Sequence, residues 1–123
     1  MKPAITHTPE SQEYYFHEGC HILELSNSPD DEDVSIARAR VEPGKTTRWH
    51  RLKNTTERYL ILQGVGLVEV SDLPAQPVNT GHVVLIPPMQ NQRITNTGDT
   101  DLIFLAICSP RFQAGCYEDT ESA

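Results

Sequence analysis

The sequence predicts an all-β fold, a small antiparallel barrel or sandwich, and three observations carry that expectation. The chain has 123 residues, enough for one hydrophobic core and too few for a second. Its apolar residues fall in short runs rich in Val, Ile and Leu, cut by Pro, Gly, Asn and Asp. No stretch sustains the spacing of three and four that marks an amphipathic helix.

Taken in order, residues 1–33 hold an N-terminal arm and the first strands, with His21–Leu25 the clearest run and 28–33 (SPDDED) an acidic surface loop. Residues 34–110 form the barrel proper. Its predicted strands are Val34–Val41, Glu57–Gln63, Leu67–Val70, His82–Ile86, Gln92–Thr95 and Leu102–Cys108. Turn signals stand at Pro43-Gly44, Gln63-Gly64 and Asn96-Thr97-Gly98. Pro110 ends the last strand, and the tail 111–123 is too polar to be core.

Composition narrows the function classes. Ten Lys plus Arg against seventeen Asp plus Glu give a net charge of −7, which repels phosphate backbones and anionic membranes. Neither nucleic acid nor a membrane is an expected partner. Hydrophobic residues at 37% and charged residues at 22% suit a globular protein. The N-terminus has no apolar core of a secretory signal, so a cytoplasmic location is expected. Three cysteines, Cys20, Cys108 and Cys116, lack paired spacing and are read as reduced thiols, with Cys108 a small core residue. His7, His17, Cys20 and His21 have no recognised ligand spacing and are assigned surface or strand roles.

Two stretches carry sharper information. The first has Gly44, five residues, His50, one residue, Leu52, four residues, Glu57, six residues and Gly64. The second has Gly81, five residues, Pro87, one residue, Met89, two residues, Gln92, three residues and Asn96. Together they resemble the two cupin motifs at every spacing. Three positions depart in chemistry: Leu52 replaces a second His, Met89 a Gly, and Gln92 the last His. The resemblance covers about residues 34 to 108 and implies a double-stranded β-helix, or jelly-roll, barrel. It also implies a homodimer formed through sheet edges and N-terminal strands, with Tyr14, Tyr15 and Phe16 the candidate contact.

The resemblance implies a reduced metal-ligand set of His50, Glu57 and Gln92. Such a set would hold a divalent ion (Fe, Mn, Ni or Zn) with positions left for water or substrate. Side chains two apart on a strand share a face, so an inward His50 brings Arg48 and Leu52 with it, and Glu57 brings Tyr59, Ile61 and Gln63. Gln92 likewise carries Gln90 and Ile94. Arg48 then offers a planar cation to an anionic ligand, and Tyr59 a hydrogen bond. Each residue also has a plain structural reading: His50 as a hydrogen-bonded strand residue, Glu57 paired with Arg48, Gln92 satisfying a buried amide, Tyr59 as packing.

Three functions remain open. The first is a metal-dependent enzyme, of dioxygenase, isomerase or lyase type, acting on a small oxygenated or carboxylated molecule, with Glu57, Tyr59 and Arg48 as catalytic candidates. The second is a metal-free cyclase or isomerase with Glu57 as general base. The third is a small-molecule-binding module without catalysis.

Overall fold

Alternation of burial builds the strands. In Thr56–Gln63 the residues Glu57, Tyr59 and Ile61 are buried while their neighbours are not, and in Gln92–Asn96 the buried set is Gln92, Ile94 and Asn96. A computed structural model describes residues 1–121. In chain order its strands are β1 (Tyr14–Phe16), β2 (Cys20–Ser26), β3 (Ser35–Val41), β4 (His50–Leu52), β5 (Thr56–Gln63), β6 (Val65–Val70), β7 (Gln76–Asn79), β8 (Val83–Ile86), β9 (Gln92–Asn96), β10 (Leu102–Ser109) and β11 (Tyr117–Asp119).

Every pairing is antiparallel. One sheet runs β1-β2-β3-β10-β5-β8 and the other β11-β4-β9-β6-β7. Side chains from both sheets, among them Val41, Ile61, Ile94, Leu102 and Phe104, fill the space between them. Each such side chain contributes roughly 1.5–3 kcal/mol by leaving water. No helix among the described residues is long and apolar enough to cross a membrane.

The seven predicted strands match β2, β3, β5, β6, β8, β9 and β10 within two residues at each end. Four further strands, β1, β4, β7 and β11, have no bounds among the runs delimited from sequence, although parity already treats His50 and Leu52 as strand residues. They are three or four residues long, too short for alternation to distinguish them from loop. The polar tail therefore contains a strand, and that strand pairs β11 with β4 through Tyr117↔Leu52 and Asp119↔His50.

The motif's non-ligand residues shape turns. Gly64, between β5 and β6, has φ +87, and a Cβ there would lie 2.8 Å from the Asp101 carbonyl oxygen, so both backbone and space demand glycine. Asn96 is 1% exposed and donates through Nδ2 to the carbonyls of Val41 and Thr100, both at 2.8 Å, while its Oδ1 accepts from the Gly98 amide. Met89 keeps the left-handed conformation that the missing glycine would take freely, at φ 69. Its amide donates to the Leu52 carbonyl at 2.8 Å, tying the turn to β4. Because its side chain is largely exposed, Met89→Gly is expected to stabilise the protein by about 1 kcal/mol in urea titration, relief of strain exceeding glycine's entropy cost.

Candidate active site

The two sheets bring the motif residues together from opposite sides. His50 on β4 stands opposite Gln92 on β9, and Glu57 on β5 stands opposite Cys108 on β10. All four are buried. A cavity of about 70 Å³ opens between the sheets, with His50, Leu52, Glu57 and Tyr59 in its wall; Gln92 is not among the lining residues.

His50 is fixed at both nitrogens. Nδ1 lies 2.8 Å from the Arg48 carbonyl, which can only accept, so Nδ1 carries a proton. Nε2 lies 2.6 Å from Oε1 of Glu18, a residue in the β1–β2 turn. Burial alone pushes the imidazole down. The Glu18 charge and hydrogen bond, the Arg48 carbonyl and the Glu57 charge overcome that and raise it to about 9, so His50 is an imidazolium at neutral pH.

Glu57 is 8% exposed and its Oε1 has no hydrogen-bond partner among the described residues. Burial and the Glu18 charge push its carboxyl up to about 7, against smaller opposing effects from His50, Gln92 and Cys108. The other carboxylate oxygen, Oε2, faces the Cys108 thiol at 3.7 Å, and Cys20 donates to Glu18 Oε2 at 3.2 Å. Burial raises both thiols, so they stay protonated and act as donors to the two carboxylates.

Tyr59 donates its hydroxyl proton to Gln92 Oε1 and packs against Phe104, 4.4 Å between ring centroids. Burial holds the phenol well above its usual range. Both groups are thus bracing in character: the hydroxyl of Tyr59 is used on Gln92, and the buried Gln92 Nε2, with no acceptor within hydrogen-bond distance among the described residues, still acts as a weak donor on the Glu57 carboxyl.

Arg48 lies outside this site, contrary to strand parity. Residues 47–49 are not in a strand, and the Arg48 amide donates to the Glu18 carbonyl, so the pleat that aims His50 and Leu52 inward does not extend back to Arg48. Its side chain is 44% exposed and its Nε pairs with Asp119 at 2.7 Å. Gln63 at the far end of β5 is also exposed. Arg48→Ala is expected to lower the melting temperature only slightly, and less still in high salt, as for any exposed ion pair.

Glu18, Glu24 and Tyr117 line the cavity and were not foreseen. Tyr117 stacks on His50 at 5.3 Å and 19°, and edge-on against Phe16, its hydroxyl buried without a partner. Strand β11 is held in place by Arg48–Asp119 and Arg51–Glu118 ion pairs and by the Trp49 amide on Glu121. The only sequence cue was an aromatic in a polar tail and an acid beside arm aromatics, neither of which has a fixed spacing to the motifs.

The metal suggested by the motif spacing does not fit this donor set. Both His50 nitrogens are engaged, Gln92, whose amide oxygen accepts from Tyr59, is not in the cavity wall, and Leu52 is apolar. Among the described residues no three His, Cys, Asp or Glu side chains converge to hold an ion.

A two-sheet antiparallel barrel with an ionisable interior cluster defines a double-stranded β-helix domain. The chain belongs to the cupin family: residues 37–108 match the cupin domain model. It is 31% identical over 123 residues to an uncharacterized protein of Methanocaldococcus jannaschii, covering 98% of this chain and 95% of that one. It is 31% identical over 98 residues to the glucose-6-phosphate isomerase of Pyrococcus abyssi, covering 70% of this chain and 52% of the isomerase, so the chain spans about half that relative's length. In fold it is similar to the Streptomyces nucleoside dehydratase Pac13, with TM-score 0.77 and 13% identity over 96% of this chain and 92% of that one. Its relatives thus include enzymes.

Proposed function

We propose that this cupin is a metal-independent enzyme that moves a proton on a small molecule held between its sheets, in an isomerisation or an elimination. The observation that carries this reading is the Glu57 carboxyl, buried in the cavity wall with Oε1 unpartnered and its affinity for protons raised to about 7. A carboxyl so placed has the strength expected of a general base working near neutral pH.

In this reading Glu57 takes a proton from the substrate. The proton held between His50 Nε2 and Glu18 Oε1 goes to a neighbouring atom or to a departing oxygen. Transfer of the proton from Glu57 to the His50–Glu18 pair then restores the starting state. Gln92 and Tyr59 brace the wall, and Tyr117 covers the imidazole. The fold-level likeness to a nucleoside dehydratase and the partial match to a glucose-6-phosphate isomerase accord with proton-transfer chemistry, and the substrates those names carry are those proteins' own.

The test is incubation of chelator-treated protein in D2O with a panel of small hydroxy, oxo and amino compounds, followed by proton NMR. Deuterium incorporation or loss of water that survives the chelator, and disappears in Glu57→Gln, is the expected result. Turnover that needs an added divalent ion would return the metal-dependent reading to first place.

A further inference from the structure

The charges and rings around the cavity define a ligand class for the site just described. Among the described residues no Lys or Arg side chain lines it: Arg48, which strand parity aimed inward, pairs with Asp119 outside, and Arg38 and Arg40, the other candidate cations, pair with Glu10, Glu13 and Asp101. Three carboxyl side chains line it instead: Glu18, Glu24 and Glu57. Only Glu18 has a cationic partner, His50, at 2.6 Å. Glu24 Oε2 and Glu57 Oε1 are buried and unpartnered, and Glu57 as a whole is 8% exposed. The Asn27 amide acts on the Glu24 carboxyl, and the Gln92 amide and Cys108 thiol on that of Glu57, all more weakly than burial, yet these two oxygens have no donor within hydrogen-bond distance among the described residues, which is costly unless a ligand supplies one.

The remaining wall is aromatic and small. Tyr14, Phe16, Phe112 and Tyr117 line it with Ala37 and Ala106. Ring faces attract a cation by about 0.5–2 kcal/mol. Burial raises the Glu24 carboxyl above its ordinary value, against a smaller opposing effect from Asn27, so its charge needs a cation beside it; an anion would oppose that charge at low dielectric and a neutral ligand would do nothing for it.

We propose that the cavity selects a small organic cation, an ammonium or amidinium group, with Glu24 as its counter-charge and the aromatic wall around its carbon atoms. The proposal rests on the proton-transfer reading for what then happens to the ligand: the cation sits at Glu24, and Glu57 remains free to take a proton. It replaces the carboxylated or otherwise anionic ligand that an inward Arg48 would have favoured.

Three probes of matched size separate the cases: propylammonium, propanol and propanoate, each titrated into the protein while the NMR resonances of Ala37 and Ala106 are followed. Propylammonium is expected to saturate at a Kd at least tenfold below that of propanol, with propanoate causing no saturable shift. In Glu24→Gln the tenfold preference should vanish while propanol binds as before, which also reports an intact pocket. Equal affinity for propanol and propylammonium, a preference for propanoate, no saturable shift from any probe, or a preference that survives Glu24→Gln overturns the proposal. Since no turnover is measured, the titration stands apart from the D2O assay. Activity that survives Glu57→Gln would sink the proton-transfer reading and leave the ligand class intact, and tight propanoate binding would do the reverse.

Discussion

Replacing Glu57 by glutamine is expected to remove turnover and, at pH 8, to make the protein more stable. The two effects have one cause. Loss of a positioned general base typically costs about 10²- to 10⁴-fold in rate. The stability change follows from proton linkage. Glu57 has a folded value of about 7 against 4.5 for the free side chain, so the native state holds its proton more tightly than the unfolded one. Below about pH 4.5 both states are protonated and nothing is lost. As pH rises from there through 7, the unfolded chain ionises first, and by pH 8 the native state carries a penalty of about 3 kcal/mol. Glutamine keeps the shape and has no charge to bury. The melting temperature of Glu57→Gln should therefore exceed that of the native protein at pH 8 by several degrees and approach it at pH 4.5. A variant equally active, or less stable at pH 8 than at pH 4.5 relative to the native protein, would contradict the role assigned to Glu57.

Much of this molecule was legible in order along the chain because the barrel's long strands alternate. Glu57, Tyr59 and Ile61 point inward together, as do Gln92 and Ile94, and His50 with Leu52. The motif spacings likewise located the turns at Gly64 and Asn96. What sequence could not supply was partnership across the barrel. Whether His50 is a ligand or half of an ion pair depends on Glu18, which precedes it by 32 positions and reaches it from a turn anchored by the Arg48 amide. Parity failed at Arg48 because it presumes an unbroken pleat, and the chain enters β4 only at His50. The tail misled for a different reason. Its polar residues are ion-pair partners for Arg48 and Arg51, and they hold in place the Tyr117 ring that stacks on His50. Polarity there records how the strap is fastened to the surface and says nothing against its burying an aromatic.

Glu18 is where these threads meet, and Glu18→Gln is the second substitution with a large expected effect. Removing one partner of a buried ion pair leaves the other charge unanswered, at a cost of about 3–5 kcal/mol. The side chains of His50 and Glu18 are only 3% and 13% exposed, so water does little to relieve the loss. The sign with pH is opposite to the usual carboxylate case. His50 has a folded value of about 9 against 6.5 when free, so the stability it lends is fully present below about pH 6.5 and is lost as pH rises through 9. The cost of Glu18→Gln should be greatest near pH 6 and shrink above pH 9, where the native pair has already lost its proton. Catalysis should report the same change independently. On the proposed proton-transfer reading, a base that is ionised above about 7 and an imidazolium that persists to about 9 give a rate maximum between those values, both belonging to the coupled cluster and not to single residues. The Glu18 charge raises both groups, so its removal moves both limbs of the profile to lower pH. A purely structural Glu18 would lower the rate uniformly through partial unfolding. A downward shift of the whole pH–rate curve, measured below the melting transition, is the outcome that ties the Glu18 charge to the chemistry of His50 and Glu57.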